Sequence, residues 1–414
     1  MKKKYLSLLL AGALSLSLAA CGGQGAEESK TPEASAPAPS AAAESAAPEG
    51  KTIKVGMINI GDENDQGYTY NFMRGKEEAT KLLADQGINV EWVVKNNINE
   101  DSSCEDANIE LADEGCELII NTSYGFEPFM LKVAPDYPKI EFISCTNQAS
   151  AVDDLDNTHN AFANIFEGRY LAGVVGGMKL QQMIDEGEIK EDEALIGYVG
   201  AFPYSEVVSG FTSFYLGAKS VCPSATMRVK YVNSWSDAPK EANAASALAD
   251  EGCKLISQHS DNTTPATSAQ SAGAFHCGYN NDMTGVAPDA SLVSTRIDWS
   301  VYFEYCIKTV AEGGQLASDW TAGMGEGAVV LTQLNEKIAA PGTAEKVAEV
   351  EKQIADGTIH PFQGPWTGIG TAFGADAPDT KTMAEGEFYD ESNVAAGAPS
   401  APQFYWIIDG ITEE

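Results

Sequence analysis

Residues 111–123 read LADEGCELIINTS, and residues 248–260 read LADEGCKLISQHS. The first six residues are identical, and in both copies an apolar run and a small polar turn come next. Helix-like apolar spacing precedes each copy, and each apolar run has the length of a buried strand. The sequence therefore predicts one helix-to-strand unit that occurs twice and feeds the edge of a sheet each time.

Apolar runs alternate with helical patterns on both sides of these units. Strands are predicted at 53–60, 90–95, 118–121 and 140–145, and again at 195–199, 228–232, 255–258 and 275–279. Helices are predicted at 71–86, 103–114 and 129–137, and again at 206–220 and 238–250. Because strands that alternate with helices form parallel βαβ units, the sequence predicts an α/β fold with two Rossmann-like lobes and a central cleft.

The first 50 residues have a different composition. Three lysines precede an uncharged, mostly apolar run that ends at Cys21 and is shorter than the roughly 20 residues of a membrane-spanning helix. The stretch Leu18 to Cys21 resembles a bacterial lipobox. Residues 1–21 are therefore predicted to be a lipoprotein signal peptide whose Cys21 is acylated. The alternative is a plain signal peptide in which the cysteine occurs by chance. Residues 22–50 contain no Val, Leu, Ile, Met or aromatic residue and are predicted to form a disordered tether.

The remaining chain is longer than one hydrophobic core usually holds, which predicts two domains. Residues 51–165 plus about 294–325 are assigned to lobe I, and residues 166–293 plus about 326–414 are assigned to lobe II. Segments that cross between the lobes are expected near 160–166, 293–297 and 328–332, where they would act as a hinge.

Charge and cysteine usage exclude several functions. The formal net charge of −34 would repel the phosphates of nucleic acids, so no nucleic-acid partner is expected. Apart from Cys21, seven cysteines remain, and an odd number argues against a complete disulfide framework. Cys116 and Cys253 open predicted strands, where cysteine often serves as a small buried hydrophobe. The four histidines are not spaced as metal ligands, so no metal and no cofactor are predicted.

Six loops follow the predicted strands of the two lobes. Open parallel sheets bind ligands beyond the carboxyl ends of their strands, and two such lobes that face each other form a cleft lined by these loops. The loops are GDENDQGYTY (61–70), TSYGFEP (122–128), GAFPYSEV (200–207), NSWSDAPK (233–240), HSDNTTP (259–265) and GYNNDM (278–283). They are rich in aromatic residues, Asn and Asp, which suit a flat polar ring.

Catalytic motifs are absent from the sequence. It contains no Gly-x-Ser-x-Gly elbow and no phosphate-binding P-loop, and GMGEG (323–327) lacks the spacing of a dinucleotide fingerprint. Carboxylates in the cleft could activate water as in a nucleoside hydrolase, but such groups are more often ligand acceptors or helix caps. The sequence therefore predicts a protein that is not an enzyme.

The long phrases of the chain resemble those of a known family. They include EGRYLAGVVGGM (167–178), IGYVGAFPYSEVVSGFTSFYLGAKS (196–220) and FYWIIDGI (404–411). The chain is similar to the basic membrane protein (BMP) family of ABC importer substrate-binding lipoproteins, which includes purine nucleoside and nucleobase receptors. The resemblance implies a type I periplasmic binding protein fold and a monomer. It also implies lipid anchoring at the extracytoplasmic face of the cell membrane and delivery of a small ligand to a permease and its ATPase.

The resemblance also implies which residues would hold the ligand. In the purine-receptor branch two aromatic side chains clamp the base, and they map to Tyr68 and Phe202. Alternatively, both side chains pack against neighbouring residues and do not contact a ligand. Asp65 would accept hydrogen bonds from a base amine or cap the helix that follows, and Thr69 lies beside the clamp.

Further positions match the same receptors. Tyr124 and Phe126 would close the side of the pocket. Trp235 and Asp237 match the second-lobe loop, although Asp237 could instead cap the next helix.

Other positions depart from the nucleoside-binding branch. The Asp-x-Asp pair of that branch, which holds ribose, is replaced here by Asn280-Asn281-Asp282. The ribose-binding lysine is missing from STRIDWS (294–300), where Trp299 could form an additional wall of the pocket. These differences favour an adenine-like free base over a nucleoside, with Asn280 and Asp282 still at the site. A flavin-like heterocycle, and a sensory or adhesive surface lipoprotein of the same fold, stay open as alternatives.

Overall fold

The structure is a computed structural model that describes residues 50–145, 155–370 and 379–414. The predicted signal peptide, its Cys21 and the tether up to residue 49 lie outside the described residues. The first half contains β1 (Lys51–Ile58), α1 (Tyr68–Asp85), β2 (Ile88–Lys95), α2 (Ser102–Asp113), β3 (Leu118–Asn121), α3 (Glu127–Val133), β4 (Glu141–Cys145) and β5 (Thr158–Ala161).

The second half repeats this alternation. It contains α4 (Ile165–Asp185), β6 (Leu195–Gly200), α5 (Ser205–Val221), β7 (Thr226–Tyr231), α6 (Ala238–Asp250), β8 (Leu255–His259), α7 (Thr264–Ala272), β9 (Phe275–Tyr279) and β10 (Ser291–Ile297). The chain ends with α8 (Trp299–Ala311), β11 (Asp319–Trp320), β12 (Val329–Leu331), α9 (Thr343–Ala355), β13 (Trp366–Gly370), β14 (Thr380–Met383), β15 (Trp406–Ile408) and β16 (Ile411–Glu413).

The strands form two large sheets with the same internal order. The first sheet runs β2-β1-β3-β4-β5-β11, and the second runs β16-β7-β6-β8-β9-β10-β12. All neighbouring strands in both sheets are parallel except β10 and β12. The predicted α/β class is therefore confirmed.

The repeated sequence forms the same structure in both halves. Gly115 and Gly252 follow α2 and α6 with φ angles of +83° and +99°, which glycine adopts without steric cost. The amide of Cys116 donates to the carbonyl of Leu111 at 3.1 Å, and the equivalent bond from Cys253 to Leu248 measures 3.0 Å. These bonds close each helix as a Schellman motif. The strands that follow, β3 and β8, lie inside their sheets and not at an edge as predicted.

Within the described residues, the chain passes between the two large sheets three times. It leaves the first sheet after β5 and returns after β10, which ends at Ile297, next to the crossing segment expected near 293–297. The third passage lies between β11 and β12, at residues 321–328, which is earlier in the chain than the predicted 328–332. The assignment of the remaining segments to lobes stays a prediction.

The C-terminal segment forms a small antiparallel sheet, β14-β13-β15. Its aromatic side chains pack together: Phe404 stacks on Phe362 at 4.6 Å between ring centroids and meets Trp366 and Trp406 edge-on. Burial of these rings in the core of the second half fixes the segment to the second sheet.

The same segment also reaches the first sheet. The backbone amide of Ser400 donates to Asp319 at 2.7 Å, and Asn160 donates to the Ser400 hydroxyl at 2.8 Å. Asp319 belongs to β11 and Asn160 to β5, so Ser400 links the C-terminal segment to the edge of the first sheet.

Two further expectations concern the described residues. None of the helices described here has both the length and the apolar character that crossing a membrane requires. The seven cysteines from Cys104 to Cys306 are all buried and free of disulfides. Cys116 and Cys253 belong to hydrophobic core clusters, as the sequence predicted.

Candidate functional site

A small, partly enclosed cavity lies between the loops of the two sheets. From the first half it is lined by Ile60, Tyr68, Ser123 and Tyr124. From the second half it is lined by Glu206, Trp235, His259, Asp261 and Tyr279. These residues lie at, or in the segments just after, the carboxyl ends of β1, β3, β6, β7, β8 and β9. This is where open parallel sheets bind ligands.

Aromatic rings form much of the cavity wall and also join the two halves. Tyr124 of the first half stacks on Tyr204 of the second half, with 5.2 Å between ring centroids and 17° between planes. Tyr204 stacks in turn on Phe202 at 5.0 Å, and Phe202 meets Trp235 edge-on at 5.1 Å. Of these rings, Tyr124 and Trp235 line the cavity and can supply apolar faces for a flat ligand.

The two halves also approach each other through the backbone. Gly67 precedes α1, and a Cβ atom at this position would lie 2.2 Å from the carbonyl oxygen of Asp261. Only a residue without a side chain permits this contact. Together with the stacking of Tyr124 on Tyr204, it shows that the two halves are closed on the cavity.

One carboxylate of the cavity belongs to a buried hydrogen-bonded chain. Glu206 accepts from His259 Nε2 at 3.1 Å, and His259 Nδ1 lies 3.4 Å from the hydroxyl of Tyr198. Burial lowers the pKa of His259 to about 4, and the charge of Arg169 acts in the same direction. A neutral imidazole then donates from Nε2 to Glu206 and accepts at Nδ1 from Tyr198.

The second carboxylate has different surroundings. Asp261 is 5% exposed, and its backbone amide donates to the carbonyl of Trp235 at 2.9 Å. No described residue donates a hydrogen bond to its carboxyl group. Burial raises the pKa of Asp261 well above its usual range, and the neighbouring carboxylates, Asp65 first, raise it further. Asp261 therefore brings a largely buried carboxyl group to the cavity.

A buried cation lies behind the cavity wall. Arg169 of α4 donates from Nη1 to the carbonyl of Gln258 at 2.8 Å, and its guanidinium carbon lies 3.6 Å from the ring centroid of Tyr279. Its Nε and Nη2 groups have no hydrogen-bond partner among the described residues, and the same holds for the Tyr279 hydroxyl. The guanidinium supports the Tyr279 ring and partly balances the two carboxylates.

The structure brings some of the predicted site residues to this cavity. Tyr68, Tyr124 and Trp235 line it, so their contact with a ligand stays a prediction that the geometry permits. Phe202 and Asp65 instead line a wider neighbouring depression, which Trp235 and Asp261 also border.

The carboxyl oxygens of Asp65 are already engaged. They accept backbone amides of Gly67 at 2.9 Å, Thr69 at 2.9 Å and Tyr70 at 3.0 Å. Asp65 therefore caps the start of α1, the second of its two predicted roles. Thr69 is buried in the first turn of the same helix and does not line the cavity.

Other predicted residues lie elsewhere for identifiable reasons. Phe126 is fully buried in the core cluster beneath α2 and α3, because its loop turns inward as a short 3₁₀ turn. Trp299 is also fully buried, and it stacks on Phe72 with 4.2 Å between ring centroids. Both were predicted to contact the ligand, and both are instead core residues.

Three polar predictions also fall outside the cavity. Asp237 caps α6 by accepting the amide of Lys240 at 3.1 Å and forms an ion pair with its side chain. Asn280 is buried with a φ of +65° and does not line the cavity. Asp282 is exposed in a separate open depression, where it accepts the amide of Thr284 at 2.9 Å.

Several cavity residues were not identified from the sequence. Ser123, Glu206, His259, Asp261 and Tyr279 all belong to the strand-end loops singled out above. The signal that could have found them is their place within two residues of a strand end, except for Glu206, which begins a helix. Ile60 lies just before the first of these loops.

The cavity offers no metal centre. Within residues 50–145, 155–370 and 379–414, no group of three or more His, Cys, Asp or Glu residues is placed to hold a metal ion. The buried carboxylates can instead act as hydrogen-bonding groups for an organic ligand.

Comparisons with known proteins agree with this architecture. A solved ABC transporter solute-binding protein of Aeropyrum pernix K1 superposes with a TM-score of 0.61 at 17% identity, over 76% of this chain and 94% of that one. Solved structures of this kind have the type I periplasmic binding protein fold, which this chain shares. At this level of identity the likeness establishes the fold alone.

Two curated relatives match over a similar length. A purine-binding protein of Brucella abortus (strain 2308) is 35% identical over 76% of this chain and 84% of its own length. A protein of Haloferax volcanii, named as a candidate ABC transporter glucose-binding protein, is 29% identical over 76% of this chain and 75% of its own. The Bmp family model, described as ABC transporter substrate-binding protein PnrA-like, matches residues 52–363. The chain therefore belongs to the Bmp family of PnrA-like ABC transporter substrate-binding proteins.

Proposed function

We propose that this substrate-binding protein carries a purine base, with adenine-like bases favoured, in the cavity between its two halves. The observation that supports the proposal is the lining of that cavity, in which Tyr68, Tyr124 and Trp235 supply aromatic faces beside the carboxyl groups of Glu206 and Asp261. Aromatic faces hold a flat ring, and carboxyl groups accept hydrogen bonds from its N–H groups. The purine-binding relative from Brucella abortus points to the same ligand class.

The lining of the cavity favours a base over a nucleoside. The positions expected to hold ribose, Asn280 and Asp282, do not line it. No residue of this set is therefore left to bind a sugar.

Proteins of this family lie on the extracytoplasmic side of the membrane and work with a permease and its ATPase. For this chain we propose that Cys21 carries the lipid and that residues 22–50 tether a monomeric body to the membrane surface. Replacement of Cys21 by Ala should release the protein from the membrane fraction. A variant that stays in that fraction would contradict lipid anchoring at Cys21.

The ligand proposal is tested by calorimetric titration of the chain without residues 1–21. Adenine, hypoxanthine, guanosine and riboflavin are the test ligands, and glucose is included because of the Haloferax volcanii relative. Tight binding of a purine base, with adenine ahead of hypoxanthine, and weak binding of guanosine are expected. Tight binding of guanosine would restore the nucleoside assignment, and binding of riboflavin or glucose alone would refute the purine proposal.

A further inference from the structure

Three other carboxyl groups act on Asp261, which lines the cavity together with Glu206 and also borders the neighbouring depression together with Asp65. Asp65, Glu206 and Glu241 are the acidic groups that act electrostatically on Asp261. They come from the loop before α1, from the start of α5 and from α6. Like charges at close range in a buried site cannot all stay ionised at low cost, so one group of such a cluster retains its proton.

Hydrogen bonding distinguishes the four groups. Asp65 accepts three backbone amides, and Glu206 accepts His259 Nε2. Glu241 accepts the amide of Asp237 at 2.7 Å and the side-chain amide of Asn262 at 2.6 Å. Asp261 receives no hydrogen bond from any described residue, although it is 95% buried. An ionised carboxylate without donors is the costliest of the four, so the proton belongs on Asp261.

We propose that Asp261 is the specificity-determining residue of the cavity and that it meets the ligand as a neutral carboxylic acid. In this form the group offers one O–H donor beside one carbonyl acceptor, as an asparagine amide does. The proposal rests on the purine assignment made above and names the edge of the purine that is read.

The donor and acceptor of Asp261 match one type of purine edge. Adenine presents its N6 amine, a donor, beside N7, an acceptor, and asparagine pairs with this edge through two hydrogen bonds. Guanine presents two acceptors, O6 and N7, at the same edge, which a group with a single donor cannot satisfy. At this edge a protonated Asp261 therefore pairs fully with a 6-aminopurine, whereas guanine read at the same edge would leave one buried group unpaired.

The surroundings of Asp261 determine how adenine binding responds to pH. The titratable and charged groups around it are Asp65, Glu206, Glu241, Arg169, His259 and Tyr279. Only Arg169 is cationic, since the pKa of His259 is lowered to about 4. Burial and the neighbouring carboxylates raise the pKa of Asp261, and Arg169 opposes them. If the protonated form binds adenine, affinity is present below the raised pKa and is lost as the pH rises through it.

The test compares two replacements of Asp261 in the soluble chain, with adenine and guanine as ligands. Asp261→Asn keeps one donor and one acceptor without an ionisable group, and Asp261→Leu keeps the size but removes both. Asp261→Asn should retain at least about a tenth of the parent's affinity for adenine, whereas Asp261→Leu should lose about 100-fold or more. Adenine affinity of the parent should fall with rising pH, and that of Asp261→Asn should not.

Controls separate this inference from the purine assignment. Asp289→Asn makes the same chemical change at an exposed carboxylate, and it should leave adenine binding as in the parent. If the parent binds no purine, the proposed function fails. If the parent binds adenine but Asp261→Asn loses as much affinity as Asp261→Leu, the neutral carboxyl is wrong while the purine site stands. A parent that prefers guanine to adenine would also overturn the inference.

Discussion

Two aromatic residues predicted to clamp the ligand occupy different places in the structure. Tyr68 lines the enclosed cavity, whereas Phe202 faces the neighbouring depression and is stacked on Tyr204. Tyr68→Ala should therefore weaken adenine binding by about 1–3 kcal/mol, the usual contribution of a ring stacked on a base. Calorimetric titration of the variant measures the loss.

Phe202→Ala serves as the comparison. Its ring contacts Tyr204 and Trp235 but lies outside the cavity lining, so the loss should be smaller than for Tyr68→Ala. An equal or greater loss for Phe202→Ala would move the ligand into the wider depression and contradict the assignment of the cavity.

A second residue-scale prediction concerns Glu391, which is buried in the C-terminal segment. Its carboxyl accepts the amides of Gln403 at 2.8 Å and Phe404 at 2.7 Å and the hydroxyl of Ser209, yet burial raises its pKa to about 7. A raised pKa means that the folded state binds the proton more tightly. Its contribution to stability is complete below the unfolded pKa of about 4.5 and is lost as the pH rises through about 7.

Glu391→Gln should therefore change the pH dependence of the free energy of unfolding. Near pH 4.5 the variant and the parent should differ little, whereas above pH 7 the variant should gain on the order of 1–3 kcal/mol relative to the parent. Denaturant unfolding of both proteins at several pH values measures the difference. A difference that does not change with pH would contradict a buried, protonated Glu391.

Residue roles were the least predictable part of the site. The sequence located the loops that contain Glu206, His259 and Asp261, but it could not show which side chains in a loop turn into the cavity. Asp65 and Asp237 illustrate the reason, because a carboxylate just before a helix satisfies the free amides of the first turn and is then no longer available to a ligand. Trp299 was misplaced because burial in a core depends on distant residues such as Phe72.

At the scale of elements, the start of α1 controls how closely the two halves approach. Gly67 lies against the carbonyl of Asp261, so Gly67→Ala would place a methyl group 2.2 Å from that oxygen and force the halves apart. Because an enclosed cavity strengthens polar contacts by excluding water, adenine affinity should fall by about tenfold or more. Titration calorimetry checks the loss, and small-angle scattering with ligand checks the more open shape.

Gly285→Ala is the matched control for this change. A Cβ atom at Gly285 would meet no atom within 4 Å, so neither affinity nor shape should change. If Gly67→Ala and Gly285→Ala bind adenine equally well, the close approach of the halves at Gly67 does not contribute to affinity.

Elements were predicted more reliably than residues. The repeated phrase was correctly assigned to a helix followed by a strand, because its helix end, glycine and apolar run are local signals. Its place inside the sheet was not predicted, since strand order depends on pairing between distant segments. The passage at residues 321–328 was also predicted too late in the chain, because β11 has only two residues and shows almost no hydrophobic periodicity from which a strand could be predicted.

At the scale of the whole molecule, the C-terminal segment connects both sheets. It packs its aromatic rings on the second half, and Ser400 binds Asp319 and Asn160 of the first sheet. Ser400→Ala removes a buried hydroxyl that is hydrogen-bonded on both sides, so the free energy of unfolding should fall by about 1–3 kcal/mol. Denaturant unfolding measures this change.

Ser392→Ala is a useful comparison for this prediction. The Ser392 hydroxyl is also buried, but it donates to the Ser400 carbonyl within the segment and does not reach the first sheet. Both variants should lose stability, but only Ser400→Ala should alter the coupling of the segment to the first sheet, seen as faster amide exchange in β11. Unchanged exchange there would contradict the proposed link.

The proposed function requires that a purine base bind in the cavity between the two halves. A crystal structure of the soluble chain grown with adenine tests it most directly. Density for one base is expected between the rings of Tyr68 and Trp235, with its N6 and N7 edge at Asp261. Adenine bound instead in the wider depression beside Phe202, or an empty cavity in crystals of protein saturated with adenine, would contradict it.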